Sequence, residues 1–293
     1  MNSAINRNKA KVYLSDAGLF YAAAIWGSTF FIVKDALNHV DPVILVAYRF
    51  LIAGLLLWAF LIIKGKSFKT NFREGLLLSV LLYFLYVPQT IGLGYTTASN
   101  SGFITGLFVA FVPIFLKMIF KRKPTIMEVI ASIISLIGLW ILTGGMTVIN
   151  IGDIITLLAA MTYALHVLYS DKFMKAGFDP VIISAQQFLL VGIMALITGL
   201  IFRLPLSVGN TYTWGVIVFL ALFPTTSAFL IQMVAQKITS PLKVSLIFAL
   251  EPVFAGVFAW TLGGEQFVVR SALGGFFIFS ALFISGMPVK RKN

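Results

Sequence analysis

Apolar stretches of about 20 residues recur between Leu19 and Phe283, and this feature limits the fold of the chain more than any other. A stretch of that length crosses about 30 Å of hydrocarbon as an α-helix. Only 11% of the residues are charged and 59% are hydrophobic, whereas soluble domains carry about 25% charged residues. The sequence therefore predicts an all-α integral membrane protein and excludes an ordinary soluble globule.

Ten membrane spans are predicted from the apolar runs between polar or charged breaks. Two alternatives remain open: nine spans, if the run at 126–143 does not cross the membrane, or eight, if the shorter helices are re-entrant. Prolines inside the spans are expected to interrupt their helices, at Pro88, Pro113, Pro224 and Pro252. The predicted spans are 17–37, 43–63, 74–93, 98–119, 126–143, 153–172, 180–202, 213–235, 241–262 and 268–287.

The net charge of +12 is explained by membrane topology rather than by a nucleic-acid partner. If the N-terminus is cytoplasmic, 18 of the 22 basic residues fall in cytoplasmic segments, and outward loops such as 96–101 and 144–152 are almost uncharged. Such an asymmetry follows the positive-inside rule. We therefore expect a multi-pass protein embedded in the lipid bilayer of a bacterial-type cytoplasmic (inner) membrane, with both termini in the cytoplasm and no nucleic-acid partner.

Two segments about 138 residues apart repeat one sequence pattern. The run 41–44 (Asp-Pro-Val-Ile) recurs at 179–182, and the match continues from Phe50/Phe188 to Gly54/Gly192. The runs 111–115 and 250–254 agree at an offset of 139. These matches divide the chain into a first five-helix repeat at 1–145 and a second at 150–288, followed by a basic cytoplasmic tail at 289–293.

The number of spans in each half has a topological consequence. Five is odd, so each half ends on the side of the membrane opposite its start, and the second half is inserted inverted relative to the first. Inverted repeats are a recurring transporter architecture, because exchanging the conformations of the two halves moves an opening from one side of the membrane to the other. The repeat therefore favours transport, without identifying a cargo.

Four short motifs carry a family resemblance. They are Trp26-Gly27-Ser28-Thr29-Phe30, Tyr48-Arg49-Phe50-Leu51, Glu251-Pro252-Val253-Phe254 and Gly263-Gly264-Glu265. With these motifs and the duplicated five-span unit, nearly the whole chain resembles the EamA-type branch of the drug/metabolite transporter superfamily. The resemblance implies ten helices around a central cavity, and export or uptake of amino acids, related metabolites or drugs. Two departures make the halves unequal: Arg122-Lys123 replaces a frequent Gly-Glu, and Gln186-Gln187 lies opposite Tyr48-Arg49.

Ionisable residues inside the spans are candidates for function, because charge in a membrane interior is costly and tends to face a cavity or a partner. Glu251 lies about 16 Å deep, eleven residues into the ninth span, and Arg49 lies about 9–12 Å from the outer side. Glu251 is a candidate to bind a proton or a cationic group, and Arg49 to bind a carboxylate or hold an outer gate. The structural alternatives are an Arg49–Glu251 contact, or a Glu251 side chain bonded to backbone freed by Pro252.

Polar and aromatic residues at helical spacing supply further candidates for an apolar pocket with a few polar groups. The structural alternatives are an interfacial aromatic belt for Tyr and Trp, and bonds between helices for Gln. His166 is also a candidate for proton coupling, like Glu251, because histidine titrates near neutrality. The predicted substrate-binding residues are Trp26, Ser28, Arg49, Tyr83, Tyr86, Gln89, Tyr163, His166, Gln232 and Glu251.

The function favoured by the sequence is secondary transport of a small metabolite, such as an amino acid, a related compound or a drug, by alternating access. Transport is expected to be coupled to protons, and a proton-independent facilitator is the alternative. A membrane-embedded enzyme is less favoured, because no nucleophile-and-base pair, P-loop or metal-ligand spacing is evident. With no cysteine and only two histidines, no metal or cofactor is expected. A monomer is expected, with a dimer as the alternative.

Overall fold

The structure, a computed structural model, describes residues 2–145, 149–261 and 266–287, and those residues form helices connected by short loops. The predicted tail at 289–293 and the Gly263-Gly264-Glu265 motif lie outside the described residues. The helices are α1 (Asn2–Ala36), α2 (Pro42–Ile63), α3 (Phe72–Tyr95), α4 (Ala98–Gly106 and Phe108–Met118), α5 (Ile126–Thr143), α6 (Ile151–Lys175), α7 (Pro180–Ile201), α8 (Thr211–Leu220, Ala221–Ser227 and Ala228–Ala235), α9 (Pro241–Phe248 and Glu251–Thr261) and α10 (Val269–Ser285).

The lengths of these helices confirm the predicted class. In the described part of the chain, nine helical segments are long and apolar enough to cross a membrane, and α10 is a slightly shorter apolar helix. The run at 126–143 forms one of the nine, so it has the length required of a span. The chain is therefore an all-α, multi-pass membrane protein.

Three helices are interrupted near the middle of the bundle. A break at Leu107 divides α4, and a turn at Ala249 and Leu250 divides α9 immediately before Glu251. A π-helical segment that contains Pro224 lies in the middle of α8. In contrast, α3 continues through Pro88 and the second segment of α4 continues through Pro113, so the interruptions expected at these two prolines are wrong. Broken helices expose backbone polar groups, which a membrane protein tolerates only inside protein or along a cavity.

The two halves meet at a close crossing of α2 and α7. A Cβ added to Gly54 would lie 2.5 Å from the backbone nitrogen of Leu189, and one added to Gly192 would lie 2.6 Å from that of Leu51. Glycine is needed at both places because the backbones touch. Positions 54 and 192, and 51 and 189, are equivalent in the sequence repeat, so the contact is reciprocal.

Other helix pairs also form contacts that are equivalent when the two halves are exchanged. The fifth helices of the two halves, α5 and α10, pack along each other, α3 packs on α6, and α8 packs on α1. Similarly, α4 packs on α6 and α9 packs on α1. Each of these contacts maps onto itself or onto its partner when the halves are exchanged.

Charged side chains join the halves at one end of the bundle, which we call the basic end. Lys66 pairs with Asp179 at 2.5 Å, Arg122 with Asp171 at 3.4 Å and Lys243 with Asp16 at 2.7 Å. Each pair joins one residue of each half. Lys175 also pairs with Asp171.

Hydrogen bonds hold the end of the bundle opposite the basic end. Lys34 Nζ donates to the carbonyls of Leu93, Gly94 and Thr96 and so caps the C-terminus of α3. A cation at this position also interacts favourably with the helix dipole. Thr96 Oγ1 then donates to Asp153 Oδ1 at 2.7 Å, which joins α3 to α6 of the other half.

Candidate functional site

A cavity lies between the halves and collects side chains from α1, α2 and α3 of the first half and from α6, α8 and α9 of the second. Its volume is about 520 Å³, including the space at its mouth that is open to solvent. The lining extends along α1 and α3 away from the basic end. The lining residues are Trp26, Thr29, Phe30, Val33, Arg49, Leu85, Tyr86, Gln89, Thr90, Leu93, Tyr163, Phe229 and Glu251.

Arg49 brings a buried guanidinium into this cavity. Its side chain is 3% exposed; Nε donates to Thr225 Oγ1 at 2.5 Å and Nη2 to Tyr86 OH at 3.3 Å. The guanidinium carbon also lies 4.6 Å from the centroid of the Tyr86 ring, a cation–π geometry. Arg49 is in none of the four ion pairs formed by the described residues. A guanidinium held by neutral groups alone remains available to an anionic group.

The π-helical segment of α8 places the partners of Arg49 and Trp26. Thr225 Oγ1 donates to the carbonyl of Leu220, five residues earlier, and accepts from Arg49. Trp26 Nε1 donates to the carbonyl of Pro224 at 2.7 Å. π-Bulges occur frequently at functional sites. Here the wider turn ties α1 and α2 of the first half to α8 of the second.

Glu251 brings a carboxylate to the same cavity. It begins the second segment of α9 and is 6% exposed. Its Oε1 accepts a hydrogen bond from Tyr163 OH at 3.2 Å. The described residues show neither an ion pair with Arg49 nor a Glu251 side-chain bond to backbone, so both structural alternatives for this carboxylate lack support. The cavity therefore contains one acidic and one basic group that do not neutralise each other by contact.

Aromatic rings close the cavity toward the basic end. Phe229 lies 5.0 Å from Trp26, 6.0 Å from Tyr86 and 5.8 Å from Phe188, measured between ring centroids. Phe50 and Phe188, which are equivalent in the repeat, also contact each other. We call Phe50, Phe188 and Phe229 the aromatic barrier; all three are almost fully buried.

Six of the predicted binding residues line the cavity: Trp26, Arg49, Tyr86, Gln89, Tyr163 and Glu251. The other four lie elsewhere. Ser28 Oγ donates to the carbonyl of Ile25, and Tyr83 OH pairs with Thr198 Oγ1 of α7. His166 pairs with Gln187, and Gln232 pairs with Gln236, on the other side of the aromatic barrier.

Sequence reasoning missed Phe229 and Thr225. Phe229 lines the cavity and contacts both Trp26 and Tyr86, but a phenylalanine in an apolar span carries no signal that separates it from lipid-facing ones. For Thr225 a signal exists in principle, since Pro224-Thr225-Thr226 puts hydroxyls beside a proline that disturbs helix bonding.

Gly27 allows the backbone of α1 to approach the break in α9. A Cβ at this position would lie 2.4 Å from the carbonyl oxygen of Glu251. We expect Gly27→Ala to displace α9 and to destabilise the fold by about 1–3 kcal/mol, the usual cost of overpacking. Thermal unfolding in detergent measures this, with Gly215→Ala as the control, because a Cβ there meets no atom within 4 Å. Equal unfolding midpoints for the two variants would contradict a tight α1–α9 contact.

One family model and two relatives named as transporters are similar to this chain. The model of the EamA-like transporter family matches residues 14–144 and again 150–287. An "Uncharacterized transporter" of Archaeoglobus fulgidus is 31% identical over 94% of this chain and 86% of its own length. The "Uncharacterized inner membrane transporter YedA" of Escherichia coli K12 is 28% identical over 84% of this chain and 82% of its own length.

A solved structure shares the fold. One crystal structure of a protein superposes with a TM-score of 0.78 at 16% identity, over 94% of this chain and 99% of that one. With the two family matches, which together span most of the sequence, and a relative above 30% identity, the chain belongs to the EamA-like transporter family.

Proposed function

We propose that this membrane transporter is a secondary transporter that carries a small metabolite, an amino acid or a related compound, through the cavity between its halves. The observation that carries the proposal is the pair of buried ionisable side chains, one basic and one acidic, in that cavity. Arg49 offers a guanidinium to a carboxylate, and Glu251 offers a carboxylate to an ammonium group or a proton. Trp26, Tyr86 and Tyr163 supply apolar surface, as small-molecule sites require.

Transport by alternating access is supported by helix contacts that are equivalent when the two halves are exchanged. The reciprocal glycine contacts of α2 and α7, and the matched packing of the other helices, are those expected for two repeats related by a pseudo-twofold axis. Exchanging the conformations of such repeats moves the opening from one side to the other. The sequence also predicts that the second repeat is inverted relative to the first, because each repeat has five spans.

The orientation follows from charge. The basic end carries Lys66, Arg122 and Lys243, and the positive-inside rule places such residues in the cytoplasm. In this orientation both termini are cytoplasmic, and the cavity lining along α1 and α3 extends toward the outside.

Proton coupling is assigned to Glu251 rather than to His166. Glu251 lines the cavity, whereas His166 lies beyond Phe229, 5.8 Å from it between ring centroids. A carboxylate that contacts the cargo can bind the cargo in one part of the transport cycle and a proton in another part. A proton-independent facilitator is the second candidate, favoured if Glu251 only binds the ammonium group of the cargo.

Uptake into proteoliposomes tests the proposal. The purified protein is supplied with a panel of amino acids, polyamines and nucleoside-like compounds, with and without a pH gradient. Amino-acid uptake above that of empty vesicles supports the proposal. If no compound moves through folded, correctly inserted protein, the proposal is wrong; uptake that ignores the gradient favours the facilitator.

A further inference from the structure

A cluster of polar side chains lies beyond the aromatic barrier, between α6, α7 and α8. We call it the inner polar cluster, and it consists of His166 and Ser170 of α6, Ser184 and Gln187 of α7, and Gln232 and Gln236 of α8. All six side chains are 0% exposed. His166 Nε2 bonds Gln187 Oε1 at 2.9 Å, and Gln236 Nε2 bonds the carbonyl of Val167 at 2.8 Å. These bonds join the three helices.

The cluster has more polar groups than it has internal partners. Nine buried side-chain atoms lack a hydrogen-bond partner among the described residues, and five of them belong to this cluster. They are His166 Nδ1, Ser170 Oγ, Ser184 Oγ, Gln187 Nε2 and Gln232 Oε1. A buried polar group without a partner costs free energy and calls for an explanation, such as a functional role. Five of them together in one place indicate a function.

Position in the fold connects the cluster with the cavity. His166 and Ser170 follow the cavity residue Tyr163 along α6 by one and two turns, or about 4.5 Å and 10 Å, toward the basic end. Phe229 has cavity neighbours on one side and the His166 ring, edge to face, on the other. Gln187 is also the repeat equivalent of Arg49. A twofold exchange of the halves therefore moves Gln187 into the place that Arg49 has in the present cavity.

We infer that the inner polar cluster is a second cargo-binding site, which takes an uncharged hydroxyl, amide or protonated carboxyl group when the transporter opens toward the basic end. The inference rests on the proposed transport function. With Gln187 Oε1 accepting, His166 Nε2 carries the proton and Nδ1 is an acceptor. Gln232 Oε1 is a second acceptor, and Gln187 Nε2 is a donor. The cluster contains hydrogen-bond acceptors and donors but no carboxylate or cationic side chain. It therefore selects a neutral group of the cargo that has both a donor and an acceptor.

Removal of hydroxyls separates this role from a packing defect. In the double variant Ser170→Ala/Ser184→Ala, two unpartnered hydroxyls disappear, so the unfolding midpoint is expected to stay equal or rise. Transport of the compound identified in proteoliposomes is expected to fall about tenfold or more, as for other buried polar groups that pair with a substrate. The control is Ser135→Ala in α5, which also removes a buried, unpartnered hydroxyl but outside the cluster. Equal transport by the double variant and the control overturns the inference.

Cysteine labelling tests the opening of the cluster without a known cargo. The chain contains no cysteine, so Ser170→Cys and Ser135→Cys each introduce a single thiol. In vesicles of defined orientation, a membrane-impermeant maleimide is expected to label Ser170→Cys from the basic end and to leave Ser135→Cys unlabelled. Equal labelling of the two, or none of Ser170→Cys, overturns the inference. A wild type that transports no compound defeats the proposed function instead, and the labelling still decides whether the cluster opens.

Discussion

Replacing Arg49 by glutamine is expected to reduce transport by about 30-fold or more while leaving the fold at least as stable as before. In the proposed complex Arg49 pairs with the carboxylate of the cargo. Truncating one member of such a buried, hydrogen-bonded charge pair costs about 2–5 kcal/mol of binding free energy, and each 1.4 kcal/mol corresponds to about a factor of ten. Among the described residues the guanidinium bonds only Thr225 and Tyr86, which are neutral. Arg49→Gln therefore removes a buried charge that is costly without its ligand. Uptake rates and thermal unfolding midpoints, measured on one preparation, give both effects.

Two further variants separate a specific role of Arg49 from a general effect of charge. Arg49→Lys keeps the positive charge but loses the planar donor group, so we expect transport between that of wild type and of Arg49→Gln. Arg270→Gln removes an exposed arginine outside the cavity lining and is expected to transport like wild type. If Arg49→Gln transported at the rate of Arg270→Gln, anion binding by Arg49 would be ruled out.

Replacing Glu251 by glutamine is expected to abolish the acceleration of transport by a pH gradient. Glutamine has nearly the same size, and its amide oxygen can still accept the hydrogen bond from Tyr163 OH. The amide cannot take up or release a proton, so a coupling carboxylate is lost while the cavity keeps its shape. Uptake into proteoliposomes with an imposed gradient, divided by uptake without one, measures the effect.

The matched control for this prediction is Glu74→Gln, at the start of α3 and outside the cavity lining. Its gradient response is expected to equal that of wild type. A Glu251→Gln variant that retains the full response would show that the proton is carried elsewhere. A wild type that transports without responding to the gradient would favour the facilitator.

The helices were predictable because each obeys a local rule. Runs of about 20 apolar residues gave the spans, since the bilayer fixes their length. Asp41 and Asp179 each precede a proline, a local signal for a helix start, and each side chain accepts from two backbone N–H groups at the start of α2 and α7. The break in α4 was less predictable: it lies at Leu107, six residues before Pro113. A proline at one position does not determine where neighbouring helices allow the backbone to open.

The charged residues of the candidate site were predictable from the sequence, and its uncharged residues were less predictable. Arg49 and Glu251 stood out because a charge in a membrane needs a reason, and the structure places both in one cavity. His166 and Gln232 also stood out, but they lie beyond the aromatic barrier. The sequence assigned both residues to the correct helices. The two sides of Phe229 are only about one helical turn apart, however, and span boundaries predicted to within several residues do not resolve so short a distance.

Cargo protection of a single thiol in the cavity tests the central claim, that cargo binds between the halves. Thr29 lines the cavity and is partly buried, and Thr29→Cys provides the only thiol of the chain. A maleimide added from the side opposite the basic end is expected to label it, and the transported compound to slow labelling with half-maximal effect near its KM. Labelling that continues at an unchanged rate in saturating amounts of a transported compound would contradict binding in this cavity.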